Sequence, residues 1–257
     1  MLISIIVPLY NAAPYIVRLM SCLLNQTYEN LEIILYDDAS KDNTREMLRD
    51  YQKRHPDMVR AGYSDTNGGI GAGKNYGVKN ARGDYLMFVD QDDYIDYNYV
   101  EHLVACVKEN PGTDLVISGF TVVHENGDII YVRSPKTTDV AFRRNIPLWG
   151  KLYLREFVIK NNLWSPLKVI LEDVLYQAAL AACSPKLSLC GTTNGYYWVR
   201  NMKSASKTGL KSFPPHALKN GFTYLISQKK PGSRTVRNDE LCYGAFLFVV
   251  WHLLKCG

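Results

Sequence analysis

The feature that most constrains this chain is an apolar run that breaks straight into acids: Leu86-Met87-Phe88-Val89 followed by Asp90-Gln91-Asp92-Asp93. Bulky apolar residues in succession read as a strand buried on both faces. Such a strand delivers its acids to the carboxyl edge, where open α/β sheets bind ligands. Asp90 and Asp92, one residue apart, suit a hard divalent cation that carries phosphate oxygens. On their own the same residues would serve equally as a solvated acidic turn, so the rest of the chain has to decide.

The first hundred residues alternate strand and helix. Ile3 to Val7 reads as a buried strand, and Pro14 opens a helical pattern with Ile16, Leu19, Met20, Leu23 and Leu24 on one face. Leu31 to Tyr36 is a second strand ending in Asp37 and Asp38, and Ser40 or Asp42 is placed to cap the next helix. Met58 to Tyr63 is a weaker strand. A glycine-rich loop, Asn67 to Gly73, leads into a helix reaching about Ala81. Repeated β-α-β units predict a mainly parallel sheet with helices on both faces. Further on, Leu115 to Phe120 reads as a core strand. Glu125-Asn126-Gly127-Asp128 marks a hairpin, because Asn-Gly tolerates positive φ. Helical patterns are expected at Leu148 to Lys160 and at Glu172 to Ala182. Tyr243 to Leu254 is apolar but too short to span a bilayer, which suits a closing or an interfacial helix.

Charge is unevenly spread. Residues 1–173 carry 19 basic and 23 acidic side chains, whereas no acid occurs between Val174 and Asn238 among ten bases. A one-sign block of this length suits an anionic partner such as a membrane surface, a phosphorylated lipid or a nucleic acid, or else forms a basic solvated face. The six cysteines are scattered, with no Cys-x-x-Cys pair that would point to zinc, and this usage fits a reducing cytoplasm. The first residues, MLISIIVP, lack the basic and long apolar stretches of a signal peptide.

Two strands end in acids, Asp37/Asp38 and Asp90/Asp92, and in a parallel sheet both ends face one crevice. Acids gathered at a sheet edge repel unless a cation or hydrogen-bond donors offset them. A division of labour follows, one acid accepting from a base N–H or ribose hydroxyls and the other holding a metal on a diphosphate.

Six segments, in order, resemble the inverting family 2 glycosyltransferases of bacterial cell-surface polysaccharide synthesis: Ile3 to Asn11, Leu23 to Ser40, Asn67 to Asp93, Leu148 to Phe157, Leu171 to Gln177 and Tyr196 to Ser204. The resemblance implies an α/β, Rossmann-like GT-A fold with a small hairpin and acceptor region and a helical C-terminal tail. It divides the chain into a nucleotide-sugar-binding half (1–110), an acceptor-binding half (111–205) and a basic extension (206–257). By the same resemblance Pro8, Tyr10, Asn11 and Asp38 hold uracil and ribose. Asp90 and Asp92 form the Asp-x-Asp pair, Asp92 ligating Mn²⁺ or Mg²⁺ with Asp90 near ribose and metal. Asp173 takes the general-base position, deprotonating the acceptor hydroxyl. Burial, and repulsion from Glu172, would raise the pKa of that base, although neighbours on a helix point about 100° apart and only one is expected to face the site. The implied partners are a UDP-sugar donor and a glycan or lipid-linked acceptor. The implied location is the cytoplasm, with peripheral contact between the basic tail and the anionic inner face of the plasma membrane. Two positions depart from the family pattern. Ala39 stands where glycine is usual. Lys74 stands where arginine is usual; it keeps the charge but loses bidentate geometry, and so binds the nucleotide-sugar phosphates less specifically or serves only the sheet edge.

Other readings are weaker. Gly68 to Asn75 nearly spells a P-loop, but Asn75 replaces the hydroxyl residue that binds Mg²⁺. A non-catalytic accessory subunit would have no need of Asp38, Asp90, Asp92 and Asp173. No nucleic-acid partner is expected, since neither an RNA-recognition motif nor a helix-turn-helix pattern is present.

Overall fold

The structure, a computed structural model, describes residues 1–168 and 172–200. The basic extension and the apolar run Tyr243 to Leu254 lie outside the described residues.

The first half reads β1 (Ile3–Leu9), α1 (Ala13–Leu24), β2 (Leu31–Asp38), α2 (Thr44–Arg54), β3 (Val59–Ser64), α3 (Ile70–Asn80), β4 (Tyr85–Phe88), β5 (Tyr94–Ile95) and α4 (Tyr99–Glu109). The second reads β6 (Leu115–Ser118), β7 (Phe120–Val123), β8 (Ile129–Arg133), α5 (Thr138–Arg144), β9 (Lys151–Leu154), α6 (Arg155–Lys160), α7 (Glu172–Ala182), β10 (Leu187–Cys190) and β11 (Tyr196–Val199).

Seven strands form one sheet in the order β10-β6-β9-β4-β1-β2-β3. It is parallel except for β9, which runs antiparallel to both β4 and β6. Every residue of β1 is buried, because both sheet faces are covered. On one face Ile3, Ile5, Val7 and Leu9 pack with residues of α1, α2 and α4; on the other, Ile6 packs with residues of α3, α5, α6 and α7. A second sheet, β5-β11-β7-β8, stands beside the first. The chain winds outward from β1 through β2 and β3, then crosses back to β4 on the other side of β1. That reversal opens a crevice at the carboxyl ends of β1 and β4, where ligands of such sheets bind.

Several expectations change. The helix foreseen over Leu148 to Lys160 is helical only in α6. Lys151 to Leu154 instead slots as β9 between β4 and β6, with Lys151, Leu152 and Tyr153 all buried. Pairing on both edges outweighs the local helical pattern. The run Leu115 to Phe120 is two strands in two sheets, broken at Gly119, where a Cβ would fall 1.8 Å from Asn194 Oδ1. Gly71 and Gly73 belong to α3 and not to the loop before it. Neither Ser40 nor Asp42 occupies the cap position of α2; Asn43 does. Asp42 Oδ1 still accepts from Thr44 N at 3.0 Å, while Ser40 Oγ accepts from Asn11 N at 2.9 Å. The hairpin turn is as expected, with Gly127 at φ 91° between β7 and β8. Among the described residues no helix is long and apolar enough to cross a membrane.

Candidate active site

The ends of β1 and β2 form one wall. Pro8 is buried beneath α3, and a Cβ on Gly73 would fall 2.6 Å from the Pro8 Cβ, so only glycine lets the helix sit this close. Tyr10 is tied to the acid loop: its N–H donates to Gln91 Oε1 at 2.8 Å and its carbonyl accepts from Gln91 Nε2 at 3.2 Å. Asn11 is exposed at φ 48°, and its Oδ1 accepts from Lys41 N at 2.8 Å. An open polar cleft of about 720 Å³ lies here, lined by Tyr10, Ala39, Ser40, Arg45, Ser64 and Asn67 among others. Ala39 holds φ 64°, a left-handed conformation that accounts for glycine being usual at this turn.

The two acids at the end of β2 part company, as neighbours on a strand must. Asp37 is buried and bonds Arg45 Nε at 2.9 Å. Asp38 turns toward α3, its two carboxylate oxygens accepting from Gly68 N at 2.8 Å and Gly69 N at 2.7 Å. Asp38 thus fixes the Gly68–Gly69 backbone that leads into α3.

The acid loop after β4 is fixed from three sides. Besides Gln91, the Asp92 carbonyl accepts from the Arg18 guanidinium, which also lies 5.1 Å over the Tyr94 ring. Asp93 is buried, with Oδ1 accepting from Val199 N and Oδ2 from Tyr196 Oη, each at 2.8 Å. Burial, together with the charges of Asp90 and Asp92, raises the Asp93 carboxyl well above its ordinary value. Asp90 sits in the crevice. Loss of hydration raises its carboxyl, the Lys74 charge lowers it, and Asp173, Asp92 and Glu172 raise it further; the net shift is upward.

Opposite stands the first turn of α7. Lys74, on α3, donates to Asp173 Oδ1 at 2.6 Å and to Glu172 Oε1 at 3.3 Å. Both acids therefore reach one ammonium, where a single one was expected to face the site; at the helix's first turn the two carboxylates converge. Burial costs the Lys74 charge, but Asp173, Glu172 and Asp90 together raise its pKa. Glu172 is raised chiefly by burial, against the pull of Lys74. Nearby, Lys151 is fully buried and donates to the carbonyls of Asn145 and Pro147. Burial pulls its pKa down to about 7, with Asp173 opposing.

Lys74, Asp90, Asp173 and Glu172 thus share one electrostatic neighbourhood, with Asp92 adjoining. Tyr10, Asn11 and Asp38 lie on the β1–β2 side, and Pro8 beneath α3. Arg18, Lys151 and the Asp93–Tyr196 pair have no precedent in the sequence reading as site residues. Arg18 and Lys151 look like an ordinary surface and amphipathic cation, and only the fold reveals their partners.

Among the described residues no group of three or more His, Cys, Asp or Glu forms a ready-made metal cage. A cation shared with a diphosphate needs no such cage, because one or two carboxylates, water and phosphate oxygens complete its shell. The charges of Asp173, Asp92 and Glu172 reach Asp90 beside that of Lys74. Asp92 and Asp90 are the carboxylates that would contribute to such a shell.

Residues 4–174 match the family model "Glycosyl transferase family 2". The chain is 27% identical over 237 residues to the poly(ribitol-phosphate) beta-glucosyltransferase of Bacillus spizizenii, a match covering 90% of this chain and 37% of that protein. It superposes on S. aureus TarS 1-349 in complex with UDP-GlcNAc with TM-score 0.78 at 20% identity, over 96% of this chain and 72% of that one. It superposes on the Pyrobaculum calidifontis mannosyltransferase PcManGT, in complex with GDP-Man and Mn²⁺, with TM-score 0.63 at 17% identity, over 96% and 80%. At these identities the two structures establish the fold. The chain spans only 29% to 42% of the length of several curated relatives that match it. A family match that runs unbroken from β1, through the Asp-x-Asp loop, to the acid pair opening α7 shows that the chain belongs to glycosyl transferase family 2.

Proposed function

We propose that this protein is a metal-dependent inverting glycosyltransferase that moves a sugar from a UDP-sugar to a hydroxyl of a glycan or lipid-linked acceptor during cell-surface polysaccharide synthesis. The observation that carries the reading is the approach of Asp173, on α7, to the Asp90–Asp92 loop, the two bridged electrostatically by buried Lys74. A displacement needs a base on one side of the reacting carbon and a stabilised leaving group on the other.

In this reading Tyr10, Asn11 and Asp38 frame the nucleoside beside the 720 Å³ cleft, and Asp92 with Asp90 holds Mn²⁺ or Mg²⁺. When bound, the metal offsets the charge that gathers on the departing diphosphate. Asp173 accepts the proton of the acceptor hydroxyl as that oxygen bonds to the anomeric carbon. The bond from that carbon to the diphosphate breaks on the opposite face, its electron pair leaving with UDP, and the configuration inverts. The relatives' names support the polysaccharide setting, and the basic run after Val174 suits a phosphate-rich acceptor or membrane.

The test is a thermal-shift series with UDP, UDP-sugars, GDP and GDP-mannose, each with and without Mn²⁺. The expected result is stabilisation by a UDP-sugar that grows with Mn²⁺. Stabilisation by guanosine nucleotides alone, or by none of these compounds, overturns the donor assignment.

A further inference from the structure

We propose that Trp198 is a stacking platform for a pyranose ring of the acceptor. The inference rests on the glycosyltransferase reading and adds to it a place and a chemical class for the acceptor. It begins at the acid loop. Asp90 N donates to Tyr196 Oη at 3.2 Å, and that hydroxyl donates on to Asp93 at 2.8 Å. The Tyr196 ring lies flat on Trp149, with centroids 4.5 Å apart and planes within 5°. Trp149 in turn meets Trp198 at 6.0 Å and 38°. Exposure rises along this ladder, from 0% at Tyr196 through 5% at Trp149 to 38% at Trp198.

Tyr196 and Trp198 share one face of β11 by strand alternation. The register carries that face across Val122 of β7 to Tyr131 of β8, which is 40% exposed. An apolar strip therefore runs outward from a wall of carboxylates. The strip calls for an apolar face and the polar crevice at its inner end for hydroxyls, which an aliphatic occupant lacks. A pyranose ring answers both, placing its C–H face on the indole and its hydroxyls toward the acids. An open-chain polyol has no such face.

The experiment uses the full chain with UDP and diamagnetic Mg²⁺ present. Saturation-transfer NMR titrations compare methyl β-glucopyranoside, methyl N-acetyl-β-glucosaminide and methyl β-galactopyranoside with ribitol. At least one pyranoside is expected to bind, with saturation strongest at ring C–H protons. Trp198→Ala is expected to weaken it about tenfold, Trp198→Phe to keep most of the affinity, and UDP–Mg²⁺ affinity by calorimetry to stay at the wild-type value in both. Wild-type pyranoside affinity in Trp198→Ala, ribitol matching the pyranosides, no pyranoside response from wild type, or loss of UDP binding in both variants overturns the platform. Failure of the wild-type chain to bind UDP overturns the parent reading instead, and is read separately.

Discussion

Lys74 Nζ lies 2.6 Å from Asp173 Oδ1 and 3.3 Å from Glu172 Oε1, with the lysine side chain 2% exposed. The contact ties α3 to α7 across almost a hundred residues of sequence and fixes the acid proposed as general base. It also couples the two ends of the site, because Asp38 anchors the start of the helix that carries Lys74. The cation expected to touch phosphate is engaged with carboxylates.

Removing Lys74 leaves three acids in one crevice without their shared cation. Breaking a buried pair by deleting one partner costs about 3–5 kcal/mol. Lys74→Met is expected to lose stability on that scale in urea melts. Lys74→Arg keeps the charge but crowds a closed site, and is expected to recover all but about 1–3 kcal/mol. Equal losses in the two variants would show that shape, and not charge, is what the position requires.

Asp173→Asn keeps the size and hydrogen-bonding reach of the side chain but cannot take a proton. Turnover is expected to fall by about 10²- to 10⁴-fold, while calorimetric UDP affinity stays near wild type. Substantial remaining turnover would move the base to Glu172.

Asp92→Asn addresses the other end. The variant is expected to lose turnover and also the enhancement of UDP affinity by Mn²⁺, since an amide is a poorer ligand for a hard dication. Mn²⁺-dependent UDP binding identical to wild type would remove Asp92 from the metal shell.

Ala39 pays for its φ of 64°. A non-glycine residue in the left-handed region costs about 1–2 kcal/mol, part of which glycine returns through greater freedom when unfolded. Ala39→Gly is therefore expected to raise the urea midpoint by the equivalent of about 0.5–1 kcal/mol. An unchanged midpoint would mean that the surrounding bonds already hold the turn at no cost.

The alternation of β-α-β units and the acids at two strand ends were legible because burial on both faces leaves a plain apolar signature, as in β1 and β4. The fate of Lys151 was not. A lysine between apolar residues looks amphipathic and helical, and only pairing with β4 and β6 makes it a buried strand residue whose ammonium is met by carbonyls. Gly119 likewise gives no local sign that its strand changes sheets, since the obstacle, Asn194, is distant in sequence. Gly71 and Gly73 read as loop residues because their purpose, close approach to Pro166 and Pro8, is a tertiary one. Long-range hydrogen bonds such as Asp93–Tyr196 have no periodicity to betray them.

Glu32 provides a test of the scaffold beneath the site. Its side chain is 1% exposed and accepts from Ser4 Oγ at 2.6 Å, Arg82 N at 2.6 Å, Gly83 N at 3.2 Å, Arg82 Nε at 2.9 Å and Arg60 Nη2 at 2.7 Å. Burial alone would raise this carboxyl, but the hydrogen bonds and the Arg60 charge outweigh it and hold the pKa below the ordinary 4.5. A folded-state pKa below the unfolded one contributes stability that is fully present above the unfolded value and is lost as pH falls through the folded value. Glu32→Gln is therefore expected to cost about 1–3 kcal/mol at neutral pH, the penalty of leaving buried donors poorly met. The gap between wild type and variant should narrow as pH falls below about 4.5. Urea midpoints of both proteins from neutral pH down to about pH 3 measure it. Part of the effect should survive high salt, because Arg60 and Arg82 are partly exposed and screened whereas the Ser4 and backbone bonds are not. A gap that stays constant across the acid range would mean that the shape of this side chain, and not its charge, secures the junction of β1, β2 and the turn before β4.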